Sequence, residues 1–288
     1  MGKASILATN IGFPESPRWH EDRLWFSDIF GSHKVHTMDA DGNVSDVATV
    51  PNCPSGLGWT PNGDLLVVSM DDCLLLRFRA GSSTPVVACD LSNLARVTND
   101  MVVGPDGTAY IGDNGFRFGE EEPALGRILK VDPEGVAEIV VEGVCLPNGM
   151  VLSPEGRSLI VAETFGGRLS RFAVGPDGEL DDRETFFQFD DLDWVGEMEK
   201  SMQRAVAPDG ICLDANGDVW VGNPLRSEIA CVSDTGQIVD TVQLSQPGIA
   251  CVLGGPDGRT LFVTTGDLTN RDGAQGKIEA AVVNTPGP

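Results

Sequence analysis

No stretch of this 288-residue sequence is apolar for long enough to cross a membrane as a helix, no Cys-x-x-Cys occurs, and histidine appears three times only. The first absence excludes a helical membrane protein. The opening MGKASILATNIGFPESP also lacks the apolar core of a secretory signal, so a cytoplasmic protein is expected. The seven cysteines (Cys53, Cys73, Cys89, Cys145, Cys212, Cys231 and Cys251) have no zinc-site or redox spacing. Several sit within apolar runs, as buried reduced thiols do. His20, His33 and His36 have no Gly-x-Ser-x-Gly elbow beside them, so no nucleophilic triad is expected and they read as surface residues. Positive charge is scarce: 20 basic residues face 43 acidic ones, for a net charge of −23 spread along the chain. Nucleic acid and anionic membrane surfaces are thereby excluded as partners, whereas a hard cation is favoured.

Helical periodicity is also missing, and glycine, with 35 residues, is abundant. What the chain has instead is a repeat. PRWHEDRLWFSD, GLGWTPNGDLLVVS, MVVGPDGTAYIGD, MVLSPEGRSLIVAET, ICLDANGDVWVGN and VLGGPDGRTLFVT each place a tight turn between two short apolar runs. Runs of that length, rich in Val, Ile, Leu, Trp and Phe, read as strands, and the turn residues need positive φ. The turn positions Asp22, Gly63, Gly107, Gly156, Gly217 and Gly258 recur at 41, 44, 49, 61 and 41 residues, the differences between those numbers. Further strand-like runs between them (KVHTMDADG, RILKVDPEG and others) supply a third and fourth strand per unit. This period predicts an all-β, six-bladed β-propeller occupying residues 1–288 as one domain. The N-terminal ASILAT is expected to complete the blade containing KIEAAVV, leaving no free edge. The long 61-residue interval, with FFQFDDLDWVGEMEKSMQRAV, reads as a lid or surface loop.

Eight residues before the turn glycines stand Ser55, Asn99, Asn148 and Asp209. The same count reaches Ala250 in the sixth unit and Pro14 in the first, with Glu15 one step later. Inner strands of a propeller line its central channel, so Glu15, Asn99, Asn148 and Asp209 would ring one opening. Asn-Gly at 148–149 and Asp-Gly at 209–210 also allow a plain turn reading. Asn99 does not, because Asp100 and Met101 follow it. Two carboxylates and two amide carbonyls without His or Cys suit Ca²⁺ first, then Mg²⁺ or Mn²⁺, with Zn²⁺ behind.

The segments ESPRWHEDRLWFSD, PSGLGWTPNG, NDMVVGPDG, PNGMVLSPEG, AET, PDGICLDANG and LGGPDGRTLFV together resemble the SMP-30/gluconolactonase/luciferin-regenerating-enzyme family of six-bladed, calcium-dependent propellers. The resemblance implies one divalent metal held by Glu15, Asn148 and Asp209, with Asn99 supporting metal or substrate. It implies hydrolysis of a small-molecule lactone, with phosphotriesters or other esters, or a non-catalytic calcium-stabilised binding propeller, as alternatives. Some sugar lactonases of the family carry Arg two residues before the Asn matching Asn99; here Val97 stands there and Arg96 is displaced by one. A one-residue offset reverses the face of a strand residue, so lactones in general are expected ahead of sugar-acid lactones.

The expected chemistry is ring opening by metal-activated water, with a carboxylate taking the proton. Asp209 is the first candidate base, Asp100 the second and Glu163, at a strand end near the same face, the third. The loops on that face bring Met70, Phe116, Phe118, Phe165 and Trp194, and with Ser55 and Asn99 these are the expected substrate contacts. Their apolar character points to a substrate with an alkyl or aryl portion. Oligomeric state does not follow from the sequence.

Overall fold

The computed structural model describes residues 2–190, 205–270, 273 and 275–288; among these there is no helix, and the strands form six sheets. Each sheet is a blade. The inner strands are Pro14–His20, Pro54–Trp59, Thr98–Val103, Pro147–Leu152, Ile211–Leu213 and Gly248–Gly254. Each pairs antiparallel with the next strand in sequence, and third and fourth strands follow outward. Gly63, Gly107, Gly156, Gly217 and Gly258 all have positive φ at the hairpin tips, and Asp22 reaches 56° in the first. The turn chemistry of the repeat is thus realised in every blade.

Every inner strand contacts the inner strand of the next blade, and Gly248–Gly254 returns to Pro14–His20, closing the ring. The seal is Ser5–Ile11, which pairs antiparallel with Gly276–Val282 as the outermost strand of blade 6. Gly2–Lys3 continues parallel to Ile238–Gln243 of blade 5. No single central core exists. Six apolar clusters instead fill the six gaps between blades, such as Leu57, Val67 and Val35 between blades 1 and 2 and Trp220, Ile229, Leu261 and Val263 between blades 5 and 6. This follows from the sequence: blades buried on both faces need near-continuous apolar second strands, as in LLVVS, AYIGD and SLIVAE.

Candidate active site at the channel mouth

Pro14, Pro54, Thr98 and Pro147 occupy one register, opposite Asp28, Ser69, Asp113 and Glu163 at the ends of the second strands. The pairing register then shifts in each of these strands, a bulge repeated blade after blade. Bulges re-aim side chains. The residues that follow, Glu15, Ser55, Asn99 and Asn148, therefore share one level at the start of the inner strands. Asp209 stands just ahead of Ile211–Leu213, its N–H bonded to Gly222 O at 3.0 Å. In blade 6, Gly248 pairs with Thr265 and a shift follows, so Ile249, not Ala250, holds this level. Counting back from the turn misses by one in blades 1 and 6 because their hairpins are one residue shorter and one longer.

The Asn-Gly and Asp-Gly pairs are not turns. A Cβ on Gly149 would lie 2.6 Å from Asp209 O and from Ile211 N, and one on Gly210 would lie 2.1 Å from Ala250 Cβ. The glycines let neighbouring inner strands approach backbone to backbone, which draws Asn148 and Asp209 together.

Glu15 is buried and its carboxylate accepts the Ser16 N–H at 2.6 Å. Burial, then the charges of Asp209 and Asp100, push its carboxyl well above the usual carboxylate range, with Arg18 opposing. Arg18 is already committed: it donates to Asp100 Oδ1 (2.7 Å), Met101 O (2.6 Å) and Leu57 O (3.1 Å). The Met101 N–H and Ser16 hydroxyl also donate to Asp100 Oδ1, at 2.8 and 3.1 Å. Asn148 donates its amide N–H to Thr164 Oγ1 (3.3 Å), and Thr164 donates to Pro208 O (2.7 Å). That chain turns the amide so that its carbonyl is the end left for a cation. Ser55 donates to Asn99 Oδ1 at 3.3 Å. A carboxylate repelled by two others beside two amides, with one arginine already engaged, fits an oxygen-ligated divalent cation. Ser16 and Arg18 escaped the sequence reading, since single residues in a strand carry no motif; both reach Asp100 Oδ1 across the bulge of their strand.

Glu163 has a different task. It is fully buried, and its oxygens accept the Cys145 N–H (2.9 Å), Arg168 Nη2 (3.0 Å), Arg183 Nη2 (2.6 Å) and the Ser170 hydroxyl. Burial alone would raise its pKa, but these donors, Arg168 foremost, bring it down to about 2. Corresponding residues do the same work elsewhere. Asp28 accepts the Phe13 N–H (2.8 Å), Asp113 that of Val97 (3.0 Å), and Asn223 that of Ala207 (3.2 Å). Blade 6 has Thr265 at that position, and Glu279 from the third strand accepts the Ser245 N–H at 2.9 Å instead. These groups clasp the loop entering the inner strand. A fully engaged carboxylate of this kind is a poor base.

The expected apolar contacts divide. Phe116 and Phe165 are buried with Cys145 and Leu146, and Phe118 packs on both rings at centroid distances of 4.9 and 5.7 Å. Phe116 and Phe165 therefore pack loops against each other, and Phe118, which is exposed, is the ring left for a ligand. Met70 is half-buried, its carbonyl 3.4 Å from Thr98 Oγ1. Trp194 lies outside the described residues. Val97 is buried, and Arg96 turns outward to Glu121. His36 is not a surface residue: it is buried, stacked on Phe26 and 3.2 Å from Asp46. Its strand begins at Lys34, so His33 lies outside it.

Residues 13–267 match the family described as SMP-30/Gluconolactonase/LRE-like region. Pentonolactonase XacC of Haloferax volcanii is 27% identical over 96% of this chain and 90% of its own. The 6-deoxy-6-sulfogluconolactonase of Pseudomonas putida is 25% identical over 95% and 92%. Among solved structures, the calcium-binding protein regucalcin of Agrobacterium tumefaciens superposes with a TM-score of 0.81 at 20% identity, covering 100% of this chain and 96% of that one; this likeness is one of fold.

Proposed function

Because the chain belongs to the SMP-30/gluconolactonase/LRE-like family, we propose that it hydrolyses a lactone at the channel mouth, sugar lactones first. The names of its relatives support the substrate class. So does the burial of Phe116 and Phe165 in their own cluster, which withdraws the aromatic wall expected for an alkyl or aryl substrate. One observation carries the reading: Asp209 and Asp100 crowd the buried Glu15 at the mouth and, with burial, raise its carboxyl.

Glu15, Asn148 and Asp209 would hold one divalent cation, Ca²⁺ by donor chemistry, with Asn99 supporting it or the substrate. Such a cation, when bound, supplies Lewis-acid polarisation of a carbonyl and lowers the pKa of water. The residues do the rest. Ser55 orients the Asn99 amide, and Thr164 orients that of Asn148. Asp209 takes the proton of the attacking water, with Asp100 as second candidate. Arg18, Ser16 and the Met101 N–H all bond Asp100 Oδ1, so its other oxygen is the one offered to the channel. Water adds to the lactone carbonyl, the ring C–O bond breaks and the ring oxygen receives the proton, giving a hydroxy acid.

The test is pH-stat hydrolysis of γ- and δ-lactones, sugar and alkyl-substituted, after chelation and after return of each divalent cation. Activity on sugar lactones that disappears with chelator, returns with metal and falls by about 10³-fold or more in Asp209→Ala is expected. Chelator-insensitive activity, or none on any lactone, would overturn it.

A further inference from the structure

A second cluster lies at the opposite end of blade 5. Asp209 precedes the inner strand Ile211–Leu213, whereas Asp214 follows it, so the strand separates the two. There a cavity of about 180 Å³ is lined by Asp214, Asp218, Trp220, Cys231 and Asp240 and walled by Val283–Thr285. Antiparallel register sets Trp220 opposite Cys231, and Cys231 opposite Asp240, so the three share one face of the blade. One ligand atom each from Asp214, Asp218 and Cys231 lies within 4.8 Å of the other two, close enough for small side-chain movements to bring all three onto one ion.

An independent observation points to an occupant. Trp220 is 2% exposed, yet its indole Nε1–H has no acceptor among the described residues. Among the described residues, no lysine or arginine lines the cavity. Acidic and thiol groups are thus gathered without a cation, and a buried donor waits for an acceptor fixed by one. Asp214 is already aimed: its Oδ1 accepts the N–H groups of Asn216 (2.8 Å) and Asp218 (3.0 Å), leaving its second oxygen.

We propose that this cavity is a second divalent-cation site, ligated by Asp214, Asp218 and the Cys231 thiolate, which takes a borderline ion of the zinc class in preference to calcium. Sulfur beside carboxylate selects such an ion, whereas the channel mouth offers oxygen alone. On binding, the Cys231 S–H gives its proton to solvent as the sulfur–metal bond forms, so one proton leaves per ion. The Trp220 N–H donates to a ligating carboxylate, the usual support of a bound ligand. The role is structural. The Ala215 N–H already bonds Pro286 O (2.8 Å) and Asn216 bonds Thr285 Oγ1 (3.3 Å), so an ion here pins the C-terminal segment to blade 5.

The experiment uses the full chain in the Asp209→Asn background, which disables the channel site, so its outcome is independent of the lactonase reading. Zn²⁺ content is measured after equilibration and desalting, Co²⁺ is titrated with absorbance recorded, and proton release is followed in weak buffer. Expected are one retained zinc, a thiolate-to-cobalt charge-transfer band and one proton per ion. Cys231→Ser removes the band, and Asp218→Asn removes the retained zinc. Absence of retained zinc and of the band in the Asp209→Asn protein overturns the proposal without reliance on further variants. A band that survives Cys231→Ser overturns it equally.

Discussion

At the residue scale, the site is governed by which carboxylates have committed partners. Glu15 is buried between two other carboxylates, so its charge is costly when no cation is bound. Glu15→Gln is expected to melt above the wild type in chelator at neutral pH, and to lose the upward shift that added Ca²⁺ gives the wild type. Differential scanning fluorimetry with and without Ca²⁺ checks both. Glu163 is the contrary case. Its folded pKa of about 2 lies below the ordinary 4.5, so its contribution is present at neutral pH and disappears as pH falls from about 4.5 through about 2. That contribution is on the order of 3 kcal/mol. The Glu163→Gln variant should lose stability at pH 7 and approach the wild type as pH falls to about 2, as read from urea midpoints across pH. Both proteins keep Asp28 and Asp113, so the difference isolates one clasp. Sequence reading singled out Glu163 but not its role, and passed over Asp28 and Asp113, because a strand-end carboxylate looks the same whether it meets a substrate or a loop N–H.

At the element scale, the inner strand is a short β-segment with a bulge where the residue at the channel mouth emerges. Bulge and glycine together decide how closely adjacent blades approach. Gly149→Ala would place a methyl group 2.6 Å from Asp209 O, forcing apart the strands that carry Asn148 and Asp209. A loss of about 2 kcal/mol or more is expected, with weakened Ca²⁺ affinity as a second consequence. Isothermal titration beside thermal melting separates the two, since unchanged affinity would mean that strand spacing does not set the site. The hairpin turns were legible residue by residue, as turn chemistry is local. The bulges were not, because a bulge is a property of two strands; the sixth-blade level therefore fell on Ala250 in place of Ile249.

On the scale of the whole molecule, the ring is held by apolar layers between blades and by one seam. Ser5–Ile11 closes blade 6, and its loss would leave Gly276–Val282 as an open edge. Deletion of residues 2–11 should lower the melting temperature by roughly 10 °C and promote association, as measured by calorimetry and light scattering. An unchanged melting temperature would mean that the ring is held by the interblade layers alone.

The sequence by itself determined the number of blades, their turn chemistry, the seam and four of the five oxygen-bearing positions at one level, because each is written in local spacing and in residues with narrow conformational preferences. Glu15 needed one further step, since its hairpin is shorter. Only the tertiary structure decided that the Asn-Gly and Asp-Gly pairs are points of close strand approach, that Glu163 clasps a loop, that Phe116 and Phe165 cover each other and that Arg18 is committed to Asp100. The physical reason is common to these cases. Charge compensation, burial and backbone contact depend on neighbours from other blades, tens to hundreds of residues away in the chain, and no local pattern records which neighbour arrives.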